Sequence, residues 1–249
     1  MFSLDWYNEV KDRRKVVIKM GNLQQRIQNI EHDIQATCDR TGRNRAEITV
    51  VAVTKEVSTA RTSAVLDANI QHLGENRPEG LLGKQLTIQS GAIWHFIGNV
   101  QSRKVKEIIN QIDYLHSVDR MSLVKEIHKR ADHVVDCFIQ VNVSGEASKS
   151  GVTPAELDSF IKEVATYDKV RIIGLMTMAP FTKDVDEIRS VFRSLRELRD
   201  GISVKNLLYA PCTQLSMGMS NDFIIAIEEG ATHVRIGTAL VGAESEGDV

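Results

Sequence analysis

The chain has only three cysteines, Cys38, Cys137 and Cys212, far apart and with no CxxC pair. An odd, scattered set favours reduced thiols in a cytoplasm over a disulfide framework or a zinc site. Charge of one sign is also missing: the formal net charge is -2, so nothing electrostatic argues for a nucleic acid or a membrane surface as partner. Local basic runs such as Lys11 to Lys15 read as solvated faces. No apolar run approaches a membrane span, and Asp5, Glu9, Lys11 and Asp12 interrupt the segment where a signal peptide would need its apolar region. The seven histidines lack HExxH or similar spacing, which argues against a metal site. Linkers, low-complexity stretches and shifts of composition are absent as well. A single domain is expected, with a helical extension over 1–45, the main body over 46–242 and a tail over 243–249.

What is present is an ordinary globular composition, 42% hydrophobic and 26% charged over 249 residues, with a regular rhythm. Leu23, Ile27, Ile30, Ile34 and Cys38 fall at steps of three and four and predict a helix from Asn22 to about Arg40. The run Ile48-Thr49-Val50-Val51-Ala52-Val53-Thr54-Lys55 reads as a buried parallel strand. Helical stretches then alternate with strands at 72–76, 93–98, 114–119, 137–143, 171–177, 214–217 and 233–237. Thr153-Pro154-Ala155-Glu156 has the pattern of a capping box with proline at the first helical position. Eight strands separated by helices predict an α/β fold, a single (β/α)8 TIM barrel with an N-terminal helical extension. An open doubly wound sheet is the alternative, and it lacks the glycine-rich turn expected after the first strand, where Lys55-Glu56-Val57-Ser58 stands.

In such a barrel the carboxyl ends of the strands share one mouth. Lys55 has the parity of Val53 and Val51, so its amine rises from an apolar layer, and desolvation there would make it a nucleophile toward a carbonyl. The competing reading is a solvated lysine just past a strand. Ser216-Met217-Gly218-Met219-Ser220 and Gly237-Thr238-Ala239 leave strands seven and eight with small residues, hydroxyls and helix starts that suit an anion, and a helix is expected to begin at Ser220. Each alone is more simply a turn with a cap. Together, opposite a lysine, they describe a phosphorylated carbonyl ligand, and pyridoxal phosphate is the candidate. Arg235 points by parity into the mouth, either to a carboxylate such as Glu75 or to the cofactor's pyridine nitrogen. His95, between Trp94 and Phe96, reads as a core histidine or as a residue packed on the ring.

Val51-Ala52-Val53-Thr54-Lys55, Gly74-Glu75-Asn76, Trp94-His95-Phe96-Ile97-Gly98, Ser148-Lys149-Ser150-Gly151, Gly174-Leu175-Met176, Leu215 to Ser220 and Val234-Arg235-Ile236-Gly237-Thr238 resemble the signature segments of the pyridoxal phosphate homeostasis proteins, single-domain relatives of the alanine racemase barrel. The resemblance runs in order from about Ile48 to Gly242. Thr54 stands where the family often has serine, and Arg77-Pro78-Glu79 where it often has Tyr-Val-Gln. The resemblance implies a Schiff base on Lys55, Arg235 at the pyridine nitrogen, Ser216, Met217, Gly237 and Thr238 around the phosphate, and Asn76 and His95 along the ring. It also implies a protein that keeps free cofactor low and passes it to apoenzymes, expected to be a monomer without robust catalysis. Two other functions compete. An amino-acid racemase of the alanine racemase type would need a second domain, for which the chain has no room after its last strand. A Schiff-base aldolase would need an acid or base beside Lys55.

Overall fold

A computed structural model describes residues 4–146 and 150–243, with side chains from Leu23 onward. Ser148 and Lys149, and the tail from residue 244, lie outside the described residues. Helix α1 spans Leu4–Thr41, longer than its apolar stripe predicts. Along the stripe Leu23, Ile30, Ile34 and Cys38 are buried and Ile27 is half-buried.

Eight parallel strands follow: β1 (Thr49–Val53), β2 (His72–Glu75), β3 (Ile93–Phe96), β4 (Tyr114–Val118), β5 (Val135–Gln140), β6 (Val170–Met176), β7 (Gln214–Ser216) and β8 (His233–Ile236). They pair in chain order and close, β8 returning to β1 with Val51 opposite Arg235. The intervening helices are α2 (Thr59–Asp67), α3 (Pro78–Gln85), α4 (Val105–Ile108), α5 (Met121–Arg130), α6 (Leu157–Val164), α7 (Val185–Ser203) and α8 (Phe223–Glu228), with α9 (Thr238–Val241) after the last strand. The closed barrel is therefore the predicted one, and the open sheet is excluded.

Boundaries moved where local chemistry outweighs pattern. Glu156 Oε2 accepts from Thr153 N at 3.2 Å and Thr153 Oγ1 at 2.6 Å, so the capping pair forms, yet residues 154–156 make a turn and α6 proper begins at Leu157. Helix α8 starts at Phe223 rather than at Ser220, because Asp222 takes the Met219 N–H on its Oδ1. Arg77-Pro78-Glu79 forms the entry of α3, with Pro78 in its first turn, where a missing N–H costs nothing.

Two layers of side chains result. Outward residues such as Ala52, Leu73, Leu115, Leu175, Leu215 and Val234 are fully buried against the helices and form the main core. The inward layer is different. A small apolar group of Phe138, Ile173 and Met176 shares the interior with His72, His95, His116, His233, Ser216 and Arg235, where barrels of this kind carry branched apolar side chains. On the outside, α1 packs against α8 and α9. Arg43 Nη1 donates to the carbonyls of Ile227 and Ala231, each at 2.8 Å, and Arg40 pairs with Glu228. The amino-terminal helix thus covers the seam where β8 meets β1.

Candidate functional site

The mouth is built from strand ends. Lys55 sits two residues beyond β1, directly above the level where Val53 Cβ lies 3.8 Å from the position a Cβ on Gly237 would take. Its side chain is 40% exposed, and its Nζ is 3.4 Å from Glu56 Oε1. The expected desolvation is not there: parity aims the side chain at the mouth, but the strand ends at Val53 and leaves the amine at the open rim. Its neighbour Thr54 is fully buried on the other side, where the hydroxyl donates to Glu75 Oε1 at 2.6 Å.

Glu75 belongs to that outer layer too. Lys84 of α3 reaches its Oε1 at 2.6 Å and also donates to the Thr54 carbonyl, both partners being buried. The arrangement ties the ends of β1 and β2 to α3 beneath Lys55. It also removes Glu75 as a partner for Arg235. Asn76, one residue on, is half-buried at the mouth, and among the described residues no hydrogen bond occupies its amide.

Arg235 is 5% exposed inside the barrel. Its Nη2 donates to the Thr177 carbonyl at 3.0 Å and its Nη1 to Ser216 Oγ. Among the described residues no carboxylate pairs with it, so the salt-bridge reading fails. Burial pushes its guanidinium down to about 10, with the Asp222 carboxylate opposing the shift. It stays charged at neutral pH, with further N–H groups to offer an acceptor.

Strands seven and eight supply the anion side. Gly218 has φ +90°, and a Cβ there would lie 2.5 Å from Ala226 Cβ, so only glycine fits this loop against α8. Its carbonyl accepts from Arg235 N at 2.9 Å, which binds the two loops together. Thr238 and Ala239 open α9, where first-turn N–H groups have no intrahelical acceptor. Met217 gives the site only backbone, since its side chain is buried in the main core. Ser216 is also fully buried, and its hydroxyl meets Arg235 and His116 rather than the loop.

His95 does not line the mouth. It is fully buried one layer below, opposite Gly74, stacked on Tyr114 at 4.5 Å, with both ring nitrogens 2.8 Å from other histidines. Neither ring nitrogen remains for a ligand. His72, His116, Thr177 and Lys84 escaped the sequence reading. Strand parity could have turned the histidines inward, but the lateral register that brings them together is not written in any one strand.

Across the mouth from Lys55, a cavity of about 240 Å³ is lined by Asn99, Gln140, Asn142, Ser144, Ser150 and Thr177, together with Val141 and Met178. Among the described residues its polar side chains are amides and hydroxyls. Among the described residues Tyr114, Tyr167 and Tyr209 all lie away from this rim, the first on β4 inside the barrel and the others ahead of β6 and β7.

The geometry, then, is an exposed lysine, a buried arginine facing only neutral acceptors, and two glycine-bearing loops with N–H groups for an anion. The comparisons agree with it. Residues 26–245 match the family model of the alanine racemase N-terminal domain. The pyridoxal phosphate homeostasis protein of Aquifex aeolicus is 38% identical over 225 residues, covering 89% of this chain and 98% of that protein. PipY of Synechococcus elongatus, solved with pyridoxal phosphate bound, superposes with a TM-score of 0.77 at 26% identity, over 88% of this chain and 100% of its own. Alanine racemase of Corynebacterium glutamicum shares the fold alone, at 15% identity and a TM-score of 0.63 over 62% of its length. The chain belongs to the pyridoxal phosphate homeostasis protein family, built on the barrel of the alanine racemase N-terminal domain.

Proposed function

We propose that this protein binds pyridoxal phosphate at the barrel mouth, holds it through Lys55, and makes it available to apoenzymes without robust turnover of its own. The observation that carries the reading is Arg235, a buried cation at the mouth whose partners in the protein are a hydroxyl and a carbonyl. Such a group suits a neutral ring nitrogen. When bound, pyridoxal phosphate supplies an aldehyde to which amines add reversibly and a ring that withdraws electrons.

The chain's own residues then have distinct tasks. The Lys55 amine is the covalent anchor, and its place at the open rim leaves it within reach of competing amines. Arg235 would donate to the ring nitrogen and, as a fixed cation, would disfavour a proton there. The N–H groups of Gly218, Gly237 and Thr238, with the Thr238 hydroxyl, hold the phosphate, and Asn76 lies along the ring. Every one of these residues comes from a single barrel, which supports a monomer as the working unit. The three buried thiols, with Cys212 pushed up to about 12 by burial, support a reducing cytoplasm.

Thr238→Ala is expected to weaken pyridoxal phosphate by about 1.5–3 kcal/mol, the worth of a hydrogen bond to a charged group, or roughly tenfold and more in Kd. Unphosphorylated pyridoxal should lose little. Parallel titrations check this, and equal losses for both ligands would place Thr238 in folding instead.

The function is tested by turnover against transfer. Two-base racemisation needs a proton-transfer group on each face of the substrate carbon, and among the described residues the polar groups opposite Lys55 are amides and hydroxyls. The loaded protein is expected to restore activity to an apoenzyme that requires pyridoxal phosphate, and to leave alanine unracemised. Interconversion of L- and D-alanine with deuterium entering at Cα, lost in Lys55→Ala, would promote the racemase reading.

A further inference from the structure

The barrel interior holds a series of hydrogen-bonding side chains that runs from Arg235 to the foot of the barrel. Below Arg235, Ser216 Oγ and His116 Nδ1 are 2.8 Å apart, His116 Nε2 and His95 Nδ1 2.8 Å, and His95 Nε2 and His72 Nδ1 2.8 Å. Ser216, His116 and His95 are fully buried. His72 is half-buried at the foot of the barrel, where it lines a cavity of about 310 Å³ between α1 and the start of β1.

One end of the series fixes its direction. A guanidinium can only donate, so Arg235 gives an N–H to Ser216 Oγ. Among the described residues that hydroxyl has one other partner, His116 Nδ1, and its single proton must go there. The reverse arrangement would leave the hydroxyl proton buried without an acceptor, a costly defect. His116 therefore accepts on Nδ1 and donates from Nε2 to His95, and His95 does the same to His72. Neutral imidazoles in a single tautomer follow from the position of the arginine. Burial acts the same way, holding His116 and His95 well below the ordinary imidazole range.

We propose that His116 and His95, with His72 as the terminus, are positioning residues for Arg235, forming a one-way hydrogen-bonded chain that commits the Ser216 hydroxyl and holds the guanidinium toward the cofactor's ring nitrogen. The proposal rests on the pyridoxal phosphate reading of the mouth. A break at His95 frees His116 to turn or change tautomer, which releases the Ser216 proton and with it the Arg235 contact. The far end sets an acid limit. A proton taken up by His72 makes its Nδ1 a donor facing the Nε2–H of His95, and relief by proton transfer along the chain would bring positive charge toward Arg235. The groups that face His72 are His95 from β3, His233 from β8, Asp113 ahead of β4, and across the cavity Glu31 and Arg45, which pair with each other at 2.7 Å. Burial lowers His72 against the pull of Asp113.

Two measurements test the chain. Nitrogen-15 spectra of the imidazoles, recorded on the full-length protein without added ligand at neutral pH, are expected to show His116, His95 and His72 neutral with the proton on Nε2. A proton on Nδ1 of His95 or His116 overturns the proposal whatever the protein binds. Pyridoxal phosphate titrations of His95→Phe and His95→Gln form the second arm. His95→Phe should weaken binding about tenfold and shift the visible band or its pH profile, while His95→Gln, which keeps a donor and an acceptor, recovers most of both. A His95→Phe protein with wild-type melting, affinity and spectrum sinks the idea. A wild-type protein that takes up no pyridoxal phosphate overturns the function instead, and the nitrogen spectra still decide the chain.

Discussion

Replacing Lys55 with alanine is expected to remove completely the visible absorbance that the wild-type protein gains with pyridoxal phosphate. The remaining proposed contacts, Arg235 and the two loops, are hydrogen bonds, so the variant should still bind the phosphate group weakly and reversibly. Borohydride added to the loaded wild-type protein should fix a pyridoxyl group on the peptide that contains Lys55 and on no other. The position of the amine makes the experiment informative. At 40% exposure Lys55 is not a lysine whose reactivity comes from an apolar pocket, so selectivity must come from the phosphate and ring contacts that hold the aldehyde beside it. Label on Lys84 or on surface lysines, or a visible band that survives in Lys55→Ala, would remove the anchor assignment. Lys84 is the sharper control, because its amine bonds the carbonyl next to Lys55 but is buried and committed to Glu75.

Acid is expected to destabilise the protein through the barrel interior. Burial, reinforced by neighbouring histidines, holds His95 and His116 well below the ordinary imidazole range, and burial with His72 and Arg235 takes His233 to about 3. In the unfolded chain each would take a proton near the reference value of 6.5. Below that value the unfolded state binds protons that the folded state refuses, so stability falls as pH falls; the full stability is present above the unfolded value and is lost on the way down. Between about pH 7.5 and about pH 5.5 each such group removes on the order of 1 kcal/mol, and the three together a few kcal/mol. That is a large part of the 5–15 kcal/mol or so that holds a typical protein folded. Urea midpoints measured at the two pH values check this, and a midpoint that does not move would mean that the histidines are charged or solvated in the folded protein.

The two predictions draw on different kinds of legibility. The barrel was readable because each βα unit writes its own period, two along β1 and three to four along α1, and eight repeats leave few topologies. Lys55, Arg235 and the loops at Gly218 and Gly237 were readable because a strand end fixes which mouth a residue faces. Depth was not readable. Parity aimed Lys55 at the mouth without telling that β1 stops two residues short of it, and it sent Arg235 inward without telling that Glu75 faces the opposite layer. His95 shows the same limit from the other side. Its environment is set by His72, His116 and Tyr114 on neighbouring strands, and the alignment of one strand against the next depends on barrel closure, which no local segment encodes.

The seam under α1 has a consequence for how the chain is made. Strand β1 leaves the ribosome ahead of the other seven strands and finds β2 within about twenty residues, but its other edge waits for β8, with Thr49 opposite His233. Through nearly the whole of synthesis that edge carries unpaired peptide groups on an apolar strand, the kind of surface that recruits foreign strands. The helix that would cover it emerges before β1 but gains its own contacts, the packing on α8 and α9 and the Arg40 pair with Glu228, only when those last units have formed. The amino-terminal helix and the closing strand are therefore mutually dependent late partners, and the nascent chain remains open to mispairing until both have arrived.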